Sequence, residues 1–226
     1  NGINEWSQAD LMYLLNPGYT GINGSLYYNN SKGTCYTGQN NVTTSCDFTS
    51  TGLKPNLKSL IDDAVWNTGS NGTEVLWNAI TVSKFYELER SNNTGKICSG
   101  SVNCTDPLGR TTAWKGLVGL MYPSDYGYAT GGGNYKREYC LSQILYTWNT
   151  ECYNDDWLYT NTNRQWTLTS LASSGDSNVA FVVFSSGIVG DSNASDGWLV
   201  RPTVYLKSNV QILSGEGSST DPFILG

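Results

Sequence analysis

The chain has 226 residues, of which 38% are hydrophobic, 12% aromatic and only 14% charged, and histidine is absent. Without histidine the chain cannot assemble a Ser-His-Asp or Cys-His nucleophile, nor the imidazole-rich sites of most zinc enzymes. The net charge is −6 and the 13 lysines and arginines are scattered singly, so the sequence indicates no nucleic-acid partner and no binding to an anionic membrane. The longest apolar run, Val179 to Phe184, is far shorter than the about 20 residues of a membrane-spanning helix. We therefore expect no membrane span.

Helix signals dominate the first part of the chain and strand signals the last. Ser7 is a candidate N-cap of the first helix, which Asn16-Pro17-Gly18 ends. Pro55 opens a second helix that Gly69 ends, and Pro123-Ser124-Asp125 bounds a buried strand. The sequence predicts helices over 7–15, 55–65, 82–90 and 137–148, and strands over 115–122, 166–170, 178–184, 188–189, 198–206 and 210–213.

Helices first and strands last is the pattern of an α+β fold rather than of alternating βαβ units. Neither a linker nor an internal repeat divides the sequence. We therefore predict a single α+β domain over residues 1–226, helical and loop-rich over 1–160 and mainly an antiparallel sheet over 161–226.

The six cysteines fall as three local pairs, which predict disulfides that staple surface loops: Cys35 with Cys46, Cys98 with Cys104, and Cys140 with Cys152. Metal binding and six reduced thiols are the alternatives, but the chain has no C-x-x-C motif and no histidine to complete a metal site. Three disulfides indicate an oxidising, extracellular compartment. Asn1 to Glu5 lacks the basic segment of a signal peptide, so an exported protein with this sequence would be a mature product or an excised ectodomain.

Two kinds of chemical site have candidates in the sequence. Asp191, Asn193 and Asp196 lie in a glycine-flanked loop and are weak candidates for calcium ligands, although Asp and Asn in a turn need no ion to explain them. We expect no other cofactor or metal. A glycosidase would need two carboxylates at a defined separation, and only long-range geometry could bring such a pair together. The candidates are Glu87 with Glu89, Asp155 with Asp156, and Asp191 with Asp196.

Eight tryptophans and 15 tyrosines are the strongest compositional signal after the missing histidine. Aromatic and neutral polar side chains on loops are typical of adaptable protein-binding or glycan-binding surfaces, because tyrosine adds contact area at low entropic cost. The alternative is that the aromatics form local cores in a disulfide-stapled, loop-rich protein. The candidate ligand-binding residues are Tyr126, Tyr128, Trp157 and Tyr159.

Two C-terminal stretches carry a family resemblance. Trp166-Thr167-Leu168-Thr169 is followed by Val200-Arg201-Pro202-Thr203-Val204-Tyr205-Leu206, and the chain ends in Gly215 to Leu225. This pattern resembles a domain of surface and secreted proteins of Gram-positive gut bacteria whose fold is similar to C-type lectins and the formylglycine-generating enzyme. Glu5 to Leu11 and Leu120 to Tyr128 are similar to a subgroup in which a type IV prepilin helix precedes this domain.

The resemblance implies an exposed head domain rather than an enzyme. No cysteine follows Cys152, so the cysteines of a formylglycine-generating active site have no counterpart. Arg201 lies in an otherwise apolar strand, where an unpaired charge is costly to bury, so we predict a structural role with a carboxylate or carbonyl partner.

We therefore expect a non-catalytic extracellular head of a bacterial surface or pilin-like protein that binds a protein or glycan in adhesion. The first alternative is a structural subunit of a surface filament that packs against identical subunits. The second is a secreted glycan hydrolase that uses two distant carboxylates.

Overall fold

A computed structural model describes residues 4–16, 55–68, 71–72, 77–91, 113–172, 178–217 and 221–226. Within these ranges the chain combines short helices with mostly antiparallel strand pairs, which confirms the predicted α+β class. The α-helices are α1 (Asp10–Leu15), α2 (Pro55–Leu60), α3 (Val82–Tyr86), α4 (Pro123–Tyr128), α5 (Arg137–Leu141) and α6 (Thr150–Asn154). The strands are β1 (Ala64–Asn67), β2 (Asn71–Gly72), β3 (Ala113–Gly116), β4 (Val118–Leu120), β5 (Gln165–Ala172), β6 (Val179–Val183), β7 (Val189–Asn193), β8 (Pro202–Val204), β9 (Ile212–Ser214) and β10 (Ile224–Leu225).

A sheet with the strand order β2-β5-β6-β7 separates two apolar cores. Successive side chains of a strand point to opposite faces, so Phe181 and Val183 enter one core while Val182 enters the other. The first, which we call the helical core, includes Ile80, Val82, Phe85, Met121, Tyr126, Leu145 and Trp148. The second, the tryptophan core, includes Trp6, Met12, Leu15, Trp66, Trp114, Val118, Leu120 and Trp166.

The tryptophan core binds the N-terminal segment to the strand pairs. The rings of Trp6 and Trp114 meet edge to face with centroids 5.8 Å apart, a favourable arrangement of aromatic quadrupoles. The Asn16 amide closes the end of α1 against β4, because its Nδ2 donates to the Val118 carbonyl at 2.8 Å and its Oδ1 accepts from the Val118 N–H at 3.0 Å.

Two predicted helices are shorter in the structure. The first begins at Asp10 instead of Ser7, because Ser7 lies in a 3₁₀ turn and donates its hydroxyl to Glu5. The second ends at Leu60, and Ala64–Asn67 forms a strand that pairs antiparallel with Ala113–Gly116. Pairing with a distant strand therefore outweighs the local helical pattern.

The segment after β4 also departs from expectation. Pro123 opens helix α4 instead of a loop, a position where its missing N–H costs nothing. The Asp125 carboxylate then accepts a hydrogen bond from the Tyr122 N–H at 2.9 Å. The predicted helix over 137–148 is interrupted after Leu141, because the Leu145 N–H donates to the Ile80 carbonyl across to another segment.

The C-terminal strands were predicted at nearly the right places. Strands β5 and β6 fall on their predicted segments, whereas β7 shares only Val189 with the predicted strand over 188–189, and the predicted strand over 198–206 contracts to β8, which pairs with β4. The expected separation of helices from strands is incomplete, since β1 to β4 precede Met121. The predicted strand over 115–122 is present as β4 and the end of β3, whereas β1 forms where a helix was expected.

The disulfide between Cys140 and Cys152 is present, as predicted. The other two predicted pairs, Cys35 with Cys46 and Cys98 with Cys104, lie outside the described residues. In the described ranges, no helix has the length and apolar character required to cross a bilayer.

Candidate functional site

A cleft of about 610 Å³ opens between helix α4, the turn at residues 157–158 and strand β8 with the residue after it. Its volume lies within the range typical of small-ligand sites. Aromatic, aliphatic and charged side chains contribute to the wall. The cleft is lined by Trp66, Arg90, Met121, Asp125, Tyr128, Ala129, Trp157, Leu158, Arg201, Pro202, Thr203, Val204 and Tyr205.

An ion pair between Arg90 and Asp125 forms one charged part of the wall. Helix α4 holds Asp125 in its first turn, and the π-helical turn Glu87–Ser91 after α3 holds Arg90. The guanidinium carbon of Arg90 lies 4.7 Å from the centre of the Tyr122 ring, which adds a cation–π contact. Burial lowers the pKa of Arg90, but Asp125 and the neighbouring tyrosines raise it above its ordinary value overall. Arg90 is therefore a fixed and fully charged group.

Glu89, the residue before Arg90, is completely buried and does not line the cleft. Its carboxyl oxygens accept hydrogen bonds from the Ser124 N–H at 3.2 Å and from the Thr169 hydroxyl at 3.0 Å. Burial raises the pKa of Glu89 to about 8. Glu89 thus joins α4 to β5 through buried hydrogen bonds, and its burial favours the protonated form.

Arg201 forms the second charged part of the wall and is held by neutral groups. Its Nε donates to the Gln165 Oε1 at 3.1 Å, and its Nη2 donates to the Leu158 carbonyl at 3.3 Å. The buried Gln165 also donates to the same Leu158 carbonyl at 3.1 Å. The predicted carbonyl partner of Arg201 is therefore confirmed. Burial lowers the pKa of Arg201, and the charge of Asp156 opposes that change.

Asp156 lies close to Arg201 and is almost fully buried. Its Oδ1 accepts from the Leu158 N–H at 2.8 Å, whereas its Oδ2 has no hydrogen-bond partner in the described part of the chain. Burial raises the pKa of Asp156 to about 8, despite the N–H donors of Leu158 and Tyr159 and the nearby Arg201. Near neutral pH this carboxyl group is therefore mostly protonated.

The aromatic part of the cleft combines fixed and accessible rings. Tyr205 packs on Trp66 with ring centroids 4.5 Å apart, and Tyr128 packs on Tyr86 at 5.4 Å. Trp157 contrasts with these paired rings, because it lines the cleft while 75% of its surface is exposed. Burying a large apolar side chain is the default, so an indole left this open is available to a ligand.

The structure brings two of the four predicted ligand-binding residues together, since Tyr128 and Trp157 both line the cleft. The prediction for Tyr126 is wrong, because α4 turns its side chain into the helical core, where its hydroxyl donates to the Gly187 carbonyl at 2.8 Å. Tyr159 lies outside the cleft wall, and its hydroxyl donates to the Ser185 carbonyl at 2.9 Å.

The calcium candidates Asp191, Asn193 and Asp196 lie on and after β7, away from the cleft wall. The Ser192 hydroxyl donates to Asp196, and the Asn178 amide donates to the Asn193 side chain at 3.4 Å. In the ranges that the structure covers, no three acidic or cysteine side chains cluster closely enough to hold a metal ion. Asn193 and Asp196 thus act as hydrogen-bond acceptors for neighbouring side chains.

Sequence reasoning missed Arg90, Asp125 and Tyr205 as parts of the cleft. Arg90 and Asp125 are 35 positions apart, and no local pattern indicates their pairing. Comparison of the chain with protein-family models, curated proteins and solved structures found no significant match. A function is therefore inferred from the chemistry of the cleft. Fixed charges and an accessible indole allow it to orient and stack a small polar ligand.

Proposed function

We propose that this chain is a non-catalytic, extracellular domain that binds carbohydrate in the cleft beside Trp157, as the adhesive head of a bacterial surface protein. The exposed Trp157 indole is the observation that carries the proposal. Sugar rings present apolar C–H faces, and a flat indole can bury such a face while the sugar hydroxyls keep their hydrogen bonds.

The remaining wall supplies the polar groups that a glycan requires. Small-ligand sites combine an apolar surface with a few fixed polar groups that set orientation. Arg90 is fixed by Asp125, and Arg201 is fixed by Gln165 and Leu158. Because these side chains are already held in place, a sugar hydroxyl can bond to them at little additional entropic cost.

The cleft supports binding better than hydrolysis. Two-carboxylate glycosidases need an acid and a second carboxylate on either side of the scissile bond. Among the described residues of the cleft wall, Asp125 is the one carboxylate, and Arg90 already pairs with it. Glu89 and Asp156 have the raised pKa values of a general acid, but both are buried outside the wall.

An extracellular location is supported by the Cys140–Cys152 disulfide and by the low content of charged residues. Disulfides persist in oxidising compartments and are rare in the cytosol. The sequence resemblance of residues 166–169 and 200–206 to C-type-lectin-like bacterial surface domains supports the same location. A filament subunit with a head of this kind is the second form that such a surface protein could take.

The proposal is tested by screening the chain against an array of neutral and acidic glycans, followed by titration of each hit by calorimetry. We expect binding to at least one glycan, and Trp157→Ala to weaken it by about 10-fold or more, the value of burying an aromatic face. Tyr139→Ala is the matched control, because this ring is 39% exposed but lies outside the cleft wall.

Trp157→Ala should unfold at the urea concentration of the original chain because its ring is largely exposed, and Tyr139→Ala should lose only the stacking of this ring on Tyr135. A chain that binds no glycan on the array contradicts the proposal. Equal affinities for the original chain and Trp157→Ala also contradict it, because the exposed indole would then take no part in binding.

A further inference from the structure

The guanidinium of Arg201 has no carboxylate hydrogen-bonded to it among the described residues. An arginine side chain has about five N–H donors. Two of them are used on Gln165 and Leu158. Both acceptors are neutral, so the positive charge of Arg201 is held in position without being cancelled.

Asp156 is the acidic residue whose ionisation would act most on Arg201, but neither of its carboxyl oxygens is hydrogen-bonded to the guanidinium in the described part of the chain. The pKa of Asp156 is raised to about 8 by burial, so the group is mostly neutral at pH 7. Its Oδ2 atom, buried and without a partner in the described part of the chain, fits this neutral form, because a buried charged oxygen without a donor is costly.

The charges along the cleft wall therefore leave one cation in excess. Of the described wall residues, Arg90, Arg201 and Asp125 are the ones of an acidic or basic type. Arg90 and Asp125 neutralise each other as an ion pair. Since the whole chain carries a net charge of −6, attraction of an anion must come from this local excess rather than from the overall field.

We propose that Arg201 binds the carboxylate of an acidic sugar whose ring stacks on Trp157, an inference that rests on the proposed glycan-binding function. Planar guanidinium groups match carboxylates with paired N–H···O bonds. Three donors of Arg201 remain for such a contact after those to Gln165 and Leu158 are counted, five less two. The same cation would also attract an acidic peptide, but an acidic peptide has no sugar ring to stack on the exposed Trp157 indole.

Matched pairs of glycans with and without charge test this inference. Tri-galacturonate, a hyaluronan tetrasaccharide and 3′-sialyllactose are each titrated beside their methyl esters, which keep the sugar rings and remove the negative charge. A poly-glutamate peptide serves as the probe for the competing ligand. We expect at least one acid to bind about 10- to 100-fold more tightly than its ester, the usual value of a charge-assisted contact.

Arg201→Gln should lose the preference for the acid and bind acid and ester equally. Arg164→Gln is the matched control, because Arg164 is also half-buried but stacks over Phe184 and Trp198 outside the cleft wall. It should keep the preference for the acid. Arg201→Lys, which keeps the charge without the planar fork, should give an intermediate preference. If Arg201→Gln does not fold, Arg201→Lys decides, because an undiminished preference for the acid in Arg201→Lys would overturn the role of the guanidinium fork.

Equal binding of every acid and its ester overturns the role of Arg201 but leaves the proposed glycan-binding function standing. Tighter binding of poly-glutamate than of any acidic glycan overturns the assignment to a sugar. A retained preference for the acid in Arg201→Gln places the carboxylate elsewhere and overturns the inference. Failure of every probe, charged and neutral, overturns the proposed function and this inference together.

Discussion

Replacing Glu89 with glutamine should raise the free energy of unfolding above that of the original chain, by an amount that grows as the pH rises. Glu89 is buried between α4 and β5, and its two oxygens accept from the Ser124 N–H and the Thr169 hydroxyl. Glutamine has nearly the same shape. Its oxygen can accept from Ser124, and its amide can donate to the Thr169 hydroxyl after that group rotates. The substitution therefore removes the ionisation of residue 89 and little else.

The magnitude follows from the pKa of Glu89, which burial raises from 4.5 to about 8. Between these values the folded state binds a proton that the unfolded state has released, so the free energy of unfolding falls as the pH rises. The stabilising contribution of Glu89 is fully present below about pH 4.5 and is lost above about pH 8. Each pKa unit corresponds to about 1.36 kcal/mol, so the total loss approaches roughly 5 kcal/mol.

Urea unfolding followed by tryptophan fluorescence, from about pH 5 to about pH 8.5, measures this effect. The free energy of unfolding of Glu89→Gln should exceed that of the original chain by an amount that grows through this range. The pH dependence that comes from Asp156 is the same in both proteins, so it cancels in the difference. Glu87→Gln is the control, because Glu87 is half-exposed and pairs with Lys84. A stability difference that stays constant within about 0.5 kcal/mol across the range would refute the reasoning.

Two further predictions concern the helical core. Replacing both Cys140 and Cys152 with serine should lower the free energy of unfolding by about 2–3 kcal/mol, because their bond closes a short loop in the unfolded chain; an unchanged urea midpoint would contradict this. Tyr126→Phe removes the buried hydrogen bond to the Gly187 carbonyl and should cost about 1 kcal/mol. Glycan affinity should be unchanged in Tyr126→Phe, and a weakened affinity would contradict the conclusion that Tyr126 takes no part in binding.

The parts of the fold that the sequence predicts well are those with a strong local pattern. The run from Val179 to Phe184 and the Trp166 segment are rich in β-branched and aromatic residues, and both are strands. Ala64 and Val65 continue the helical spacing that begins at Pro55, yet they pair with β3. Whether these residues form a helix or a strand depends on where the distant strand β3 lies, and the local spacing of apolar residues holds no information about that position.

The site was harder to predict than the fold for the same reason. Arg201 could be singled out, because a charge in an apolar strand demands a partner, and that partner is the Leu158 carbonyl. Trp157 was a candidate because it is an aromatic residue on an expected loop. Tyr126 was a candidate on the same ground, yet its side chain is buried. The difference lies in the elements that carry them, because α4, which Pro123 starts, turns Tyr126 into the helical core, whereas Trp157 lies in the turn after α6.

The walls of the cleft come from five separate parts of the chain, at residues 66, 90, 121–129, 157–158 and 201–205. A fragment that lacks one of them lacks part of the binding surface. The unfolded chain therefore has no binding site for the ligand. Binding and folding are therefore linked: a ligand present at 100 times its dissociation constant adds about 2.7 kcal/mol to the free energy of unfolding. A head anchored to its target in this way would resist heat, denaturants and proteases better than the same head alone.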